Sequence, residues 1–355
     1  SSENIPEDPM QLGFLQTSDP GWFDARFFPS KVGGKPAWIN PKDVPSDEVL
    51  KCPGCNEPRL FLMQIYAPLE SIEGAFHRML YVFCCRRGNC LKNSRKSILV
   101  LRTQLPQENP FFDDTNDDIG DLEDPPEEDE ESIKVQYRRK HAAPLCTVCG
   151  QPGSKKCSAC NSTRYCSPVH QKLHWTEGKH QSFCKDLKAN TDSSHAGRVE
   201  WIDTNPVLFT EYEIITESEE IIKKERNAEL EAKQQAMIDK YNEEMEEEKR
   251  TGEVDKTEFK EEDLPKNQHD EVFIKFQTVI DIDSTQVLRF TTASDQEPLW
   301  MCTKGILSLD DVPKCALCGS ERVFELQILP QIIYHLKVQR NAVSGDPEDE
   351  IDFGV

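Results

Sequence analysis

The chain is 355 residues long, room for two or three domains, and sets 64 Asp and Glu against 42 Lys and Arg, a net charge of −22. That balance argues against general nucleic-acid or membrane-surface binding, and no apolar stretch approaches the roughly 18 residues of a membrane span. The first thirty residues carry Glu3, Glu7 and Asp8, so no secretory signal is expected, and the fourteen cysteines read as metal ligands in a reducing compartment rather than as disulfides.

Residues 1–112 read as a first Cys-knuckle half. Pro36-Ala37-Trp38 precedes Cys52-Pro53-Gly54-Cys55, a C-x-x-C turn that aims two thiolates at one ion. Strands are expected over 59–66, 76–83 and 97–101. Two thiols do not close a tetrahedral site, and Cys84, Cys85 and Cys90 can supply the rest. Adjacent strand residues point to opposite faces, so Cys52, Cys55, Cys85 and Cys90 form the expected set, with Cys84 packed as a small hydrophobe.

Residues 113–137 read as an acidic linker. Between Asp113 and Glu131 there are twelve acids and no base, with almost nothing apolar to bury, so disorder is expected. Residues 138–188 follow with ten Lys or Arg and two acids. They hold four pairs of donors: Cys146 and Cys149, Cys157 and Cys160, Cys166 and His170, His180 and Cys184. The first two pairs have knuckle spacing. The last two are four residues apart, which puts both members on one helix face, and Ser167-Pro168 is a good helix start. His174 competes with His180 for a ligand role; the shared four-residue spacing favours His180.

These ordered pairs, the Tyr165-Cys166-Ser167 step and the run from Gln171 through Trp175 to Cys184 resemble the MYND zinc finger. The resemblance implies two interleaved zinc ions. One takes Cys146, Cys149, Cys166 and His170; the other takes Cys157, Cys160, His180 and Cys184. His170 stands where most such fingers have Cys. It also implies that Gln171 and Trp175 grip a short proline-containing peptide. The spacing is not that of a base-reading finger, which argues against direct DNA binding.

Residues 189–216 are expected to be a connector and a strand, and 217–268 a charged insert, helical at first and fraying into a mobile stretch from Thr251 to Asn267. Residues 217–263 hold eighteen acids and nine bases, so this insert and the first acidic run carry nearly all of the net charge. Residues 269–355 repeat the beginning. Pro298-Leu299-Trp300 precedes Cys315-Ala316-Leu317-Cys318, and the spacings from the first Cys to Arg, Phe, Gln and Ile match those of Arg59, Phe61, Gln64 and Ile65. A strand is expected over 322–329. Cys315 and Cys318 lack a second pair, and Ile351 to Val355 read as the opening of the missing strand, so either this half is truncated and its metal site incomplete, which is the expectation, or the second site has lost its metal. The fold class expected is α+β and β-rich: a duplicated Cys-knuckle and antiparallel-strand unit forming one discontinuous domain, with a MYND finger inserted.

The whole chain resembles the programmed cell death protein 2 family, on Phe28 to Trp38, Gln64 to Leu69, Phe83-Cys84-Cys85, the finger, and Cys315 to Pro330. The resemblance implies a dedicated chaperone that captures one basic small-subunit ribosomal protein, S-two, for ribosome assembly, in cytoplasm and nucleus. The alternative it implies is an adaptor centred on the finger, acting in transcriptional corepression, apoptosis or proliferation. A client groove is expected between the Trp38-side and Trp300-side surfaces, with the acidic segments adding attraction. No nucleotide loop or catalytic constellation is evident, so no enzyme is expected. Three zinc ions per chain are expected, two in the finger and one in the first half.

Overall fold

The computed structural model describes residues 10–93, 95–112, 125–129, 131–189, 205–227, 271–303 and 306–336. The strands are β1 Gln11–Gln16, β2 Lys31–Val32, β3 Leu60–Tyr66, β4 His77–Cys84, β5 Ile98–Leu105, β6 Lys155–Lys156, β7 Arg164–Tyr165, β8 Tyr212–Ser218, β9 Leu288–Phe290 and β10 Leu326–Ile328. The helices are α1 Asp47–Leu50, α2 Gly88–Asn93, α3 Ile133–His141, α4 Pro168–Thr176, α5 His180–Ala189, α6 Glu271–Ile280 and α7 Ile332–Leu336, with a further helical stretch at 219–227. The class is mixed α and β with antiparallel sheet. Two compact units divide the chain: residues 15–215 with 332–355, and residues 1–14 with 216–331.

The larger unit is organised by the antiparallel order β8-β2-β3-β4-β5. β3 and β4 are its central strands and are buried almost throughout, which is why LFLMQIY and HRMLYVFC lack a polar alternation. β5 alternates in burial along its length, as an edge strand does. An aromatic core of Phe28, Trp38, Phe61, Tyr81, Phe83, Phe111 and Phe112 packs against this sheet. Trp38 lies 4.6 Å from Tyr81, centroid to centroid, and Phe28 stacks on His77 at 4.2 Å.

The segment from Phe28 to Trp38 owes its composition to this packing. Lys31 is buried and pairs with Glu211 at 2.5 Å. Gly33 has φ of 71°, and a Cβ there would lie 2.1 Å from the Thr210 carbonyl oxygen. Only glycine lets the 209–211 backbone approach this closely. Gln64, fully buried, accepts from the Ala37 amide at 2.8 Å and donates to the Pro29 carbonyl at 2.8 Å.

In the smaller unit, β1 and β10 flank β9 in an antiparallel arrangement. Phe276, Ile280, Leu299 and Leu329 form one apolar cluster; Met10, Leu12 and Ile222 form another. Arg289 and Glu219 make a buried ion pair at 3.1 Å.

Three sequence expectations change. The strand expected over 322–329 is only Leu326–Ile328. Its neighbour among the described residues is β9 alone, and Arg322 and Val323 are exposed, so nothing there zips the ladder further. The linker expected to be disordered through 137 is ordered at its end. Val135 is buried, Tyr137 packs on Phe111, and Arg138 donates to the Phe111 carbonyl at 2.7 Å. Trp38, expected beside a client groove, is 5% exposed and has its indole N–H occupied. Residues 113–124, 251–267 and 351–355, on which other expectations rest, lie outside the described residues. No helix among the described residues is long and apolar enough to cross a membrane.

Candidate metal centres

Four C-x-x-C turns share one backbone form. In each, the amide of the residue after the second cysteine folds back on the first: Asn56, Gly150, Asn161 and Gly319 donate to the carbonyls of Cys52, Cys146, Cys157 and Cys315 at 2.7 to 2.9 Å. All four donors have positive φ, between 59° and 73°. Side chains other than Asn and Gly pay a steric penalty there. The residue after the second cysteine is therefore a readable signal, and spacing alone overlooks it. The first turn also places the amides of Cys55 and Gly54 near its leading sulfur, that of Cys52.

Three of these turns meet a second pair of donors. Cys52, Cys55, Cys85 and Cys90 form one group; Cys146, Cys149, Cys166 and His170 a second; Cys157, Cys160, His180 and Cys184 a third. Within each, the four donor atoms lie within 4.8 Å of one another. Cys55 Sγ is 3.6 Å from Cys85 Sγ, Cys149 Sγ is 3.8 Å from Cys166 Sγ, and Cys157 Sγ is 3.8 Å from Cys184 Sγ. A disulfide needs about 2.05 Å. A tetrahedral ion with zinc–sulfur bonds of about 2.3 Å sets its ligands about 3.8 Å apart. The donor sets thus fit zinc in both chemistry and size, and none of the fourteen cysteines forms a disulfide.

Local structure explains why these donors converge. β4 ends at Cys84, and the chain turns so that Cys85 faces the knuckle while Arg87 N–H donates to its sulfur at 3.4 Å. Cys84 stays buried in the strand, its thiol pushed up to about 12 by burial. A Cβ on Gly54 would sit 3.1 Å from Cys90 Sγ, so glycine leaves room for the fourth ligand. In the finger, Ser167 Oγ accepts from the His170 amide and Pro168 opens α4, which aims Cys166 and His170 at the first finger group. His180 presents Nε2 to Cys160 Sγ at 3.7 Å from the start of α5. His174 is placed elsewhere: its Nδ1 meets Tyr165 Oη at 2.9 Å and its ring stacks on His180.

The electrostatics point to a cation. Burial would raise the Cys52 thiol, but the amides of Cys55 and Gly54 and the facing thiols hold it below its ordinary value, while burial drives Cys85 up. Hydrogen bonding to Cys149 pulls Cys146 down and lifts Cys149 in turn. Cys160, against its burial, is lowered to about 7 by the amides of Thr163 and Ser162, whereas burial pushes Cys184 up to about 12. In each group one thiol ionises at its neighbour's expense. All can be thiolates together only around a positive ion.

The finger is not a free-standing insert. Trp38 Nε1 donates to the Gly150 carbonyl at 2.9 Å, and Gln151 Nε2 donates to the Arg59 carbonyl at 2.6 Å; all four residues belong to the larger unit. A Cβ on Gly150 would meet Lys35 Cβ at 2.8 Å. Asn205 Nδ2 caps the Val148 carbonyl at 3.1 Å. Arg59 is buried and donates to the carbonyls of Val49, Lys51, Lys96 and Ser97, tying the first knuckle to the segment after Cys90. Neither Gln151 nor the Arg59 hub carries a sequence signal beyond the repeat position of Arg59. Gln171 and Trp175 lie one turn apart on α4, with Trp175 39% exposed. Cys315 and Cys318 join no group of three or more donors among the described residues.

Two interleaved donor groups on a knuckle-and-helix frame define a MYND-type zinc finger, and the model described as MYND finger matches residues 146–184. On either side, the model of programmed cell death protein 2, N-terminal domain, matches residues 9–118, and that of its C-terminal putative domain matches residues 270–355. The chain is 36% identical to programmed cell death protein 2 of Bos taurus over 95% of its length and 88% of that protein. It is 35% identical to the Rattus norvegicus protein of the same name over 95% of its length and 88% of that protein. It is also 26% identical to programmed cell death protein 2-like of Mus musculus, over 86% of its length and 78% of that protein. No solved structure matches. The chain belongs to the programmed cell death protein 2 family.

Proposed function

We propose that this protein is a non-enzymatic, zinc-built chaperone and adaptor, present in cytoplasm and nucleus, that captures a basic small-subunit ribosomal protein, S-two, during ribosome assembly. Three four-donor groups among the described residues, each fit for one zinc ion, support it. When bound, each ion cross-links distant segments and neutralises thiolate charge. Four protein donors fill a tetrahedral shell, so no position remains for a substrate, and the ions are architectural.

The observation that carries the reading is the joining of the finger to the first half. The finger is part of one body, and the acidic segments on either side of it supply attraction for a basic client. We propose also that the two halves are copies of one unit. Gln327 accepts from the Leu299 amide at 2.8 Å, as Gln64 accepts from Ala37, and each donor residue precedes a Trp. Cys315 and Cys318 then keep the knuckle form of an ancestral site.

A second reading, the finger-centred adaptor, is favoured by the exposure of Trp175 beside Gln171, which suits a proline-containing peptide. Tagged full-length chain purified from cells separates the two. The chaperone reading expects the basic ribosomal protein to co-purify, and to be retained by Trp175→Ala. Loss of the main partner with Trp175→Ala supports the adaptor. Deleting residues 138–188 does not discriminate, because it also uncovers Trp38 and the Arg59 carbonyl.

A further inference from the structure

We propose that Gln151 and Trp38 couple metal binding in the finger to metal binding in the first half, so that the two zinc sites load and empty as a set. The two residues hold opposite sides of one junction. Gly150 and Gln151 directly follow Cys149, a donor of the first finger group. Their conformation is set by that knuckle: Gly150 N–H donates to the Cys146 carbonyl at 2.8 Å, and the Gln151 carbonyl accepts from Cys146 N–H at 2.6 Å. Once the ion fixes this turn, the Gly150 carbonyl points at the Trp38 indole and the Gln151 amide at the Arg59 carbonyl.

Arg59 stands at the matching place on the other side. Its N–H donates to the Leu50 carbonyl at 2.9 Å, just before Cys52. Its guanidinium reaches back to Lys51 at 2.6 Å and across to Ser97 at 3.1 Å. Cys85 N–H also donates to the Ser97 carbonyl, at 2.9 Å. Ordering the Arg59 backbone therefore orders both ligand-bearing segments of the Cys52, Cys55, Cys85 and Cys90 group. Gln151 is 3% and Trp38 5% exposed. A finger knuckle that unwinds on losing its ion leaves buried donors and acceptors unpaired on both sides, a penalty that can be avoided only while both knuckles are formed. This makes the coupling positive and, by linkage, reciprocal.

The test equilibrates the full chain with increasing chelator, alkylates the exposed thiols and reads each cysteine by mass spectrometry. The two groups are expected to lose protection at a common midpoint. Cys149→Ser should lower the chelator concentration that frees Cys52 and Cys85 by about tenfold, and Cys52→Ser should do the same for Cys146 and Cys166, within the usual range of site coupling. In Gln151→Ala the midpoints should separate, and Cys149→Ser should no longer affect the first-half site. Should Gln151→Ala fail to load metal, Trp38→Phe serves in its place, because it keeps an aromatic ring against Tyr81 and removes the indole donor. Independent midpoints in the native chain, or the same coupling in Trp38→Phe and Gln151→Ala as in the native chain, would overturn the proposal.

Discussion

Replacing Arg59 with Met should destabilise the larger unit strongly, whereas the same change at Arg322, at the same spacing from Cys315 as Arg59 from Cys52, should do almost nothing. Arg59 is 4% exposed and its guanidinium serves four carbonyls, those of Val49, Lys51, Lys96 and Ser97. Hydrogen bonds from a charged donor contribute about 1.5–3 kcal/mol each, and some of the orphaned carbonyls will recover water. A net loss of about 3–5 kcal/mol follows, in the range of a broken buried ionic network. At about 200 residues each kcal/mol moves Tm by about 2–4 °C, so Arg59→Met should lower it by roughly 6–20 °C. Arg322 is exposed, and exposed substitutions usually stay within about 0.5 kcal/mol. Differential scanning fluorimetry at fixed zinc compares the two. Equal shifts would refute the argument that Arg59 ties the first knuckle to the segment after Cys90.

Gly54→Ala should weaken the first-half site about tenfold in a chelator competition, because its Cβ would press on Cys90 Sγ at 3.1 Å. Unchanged affinity would mean that Cys90 is not a ligand. Cys85→Ala should remove one zinc, while Cys84→Ala should retain all of them and cost about 1 kcal/mol of packing, which metal analysis of the two purified variants distinguishes. Lys31→Met should cost about 3–5 kcal/mol in denaturant unfolding by stranding the Glu211 carboxylate. The double change Lys31→Met with Glu211→Leu should recover most of it, because the remaining pair is apolar. A double variant no better than the single would show that the pair itself supplies the stability.

The donor pairs were readable in the sequence because metal chemistry imposes short, fixed spacings that survive any fold. Strand alternation sets Cys84 and Cys85 on opposite faces, so one of the two joins the site and the other packs. Strands β3, β4 and β5 were readable from continuous apolar runs bounded by turn residues. What composition and spacing do not carry is long-range complementarity. Spacing marks Trp38 only as a residue that precedes the first knuckle, and nothing in it foretells that the indole meets Gly150, 112 positions along the chain. Arg59 and Arg322 stand at the same spacing after a C-x-x-C turn, yet one is a buried hub and the other exposed, because burial depends on what packs around the knuckle and not on the knuckle itself. The ordered end of the acidic linker was hidden for a related reason. Its charge suggests disorder, but α3 is anchored by Arg138, which pairs with Glu128 and lies over the Phe112 ring at 5.0 Å.

Native mass spectrometry of the freshly purified chain tests most directly the claim that three closed zinc sites build this protein. Three zinc ions per chain are expected, falling to two in Cys85→Ala. Two ions in the native chain, with Cys52, Cys55, Cys85 and Cys90 open to alkylation or joined as disulfides, would contradict the account.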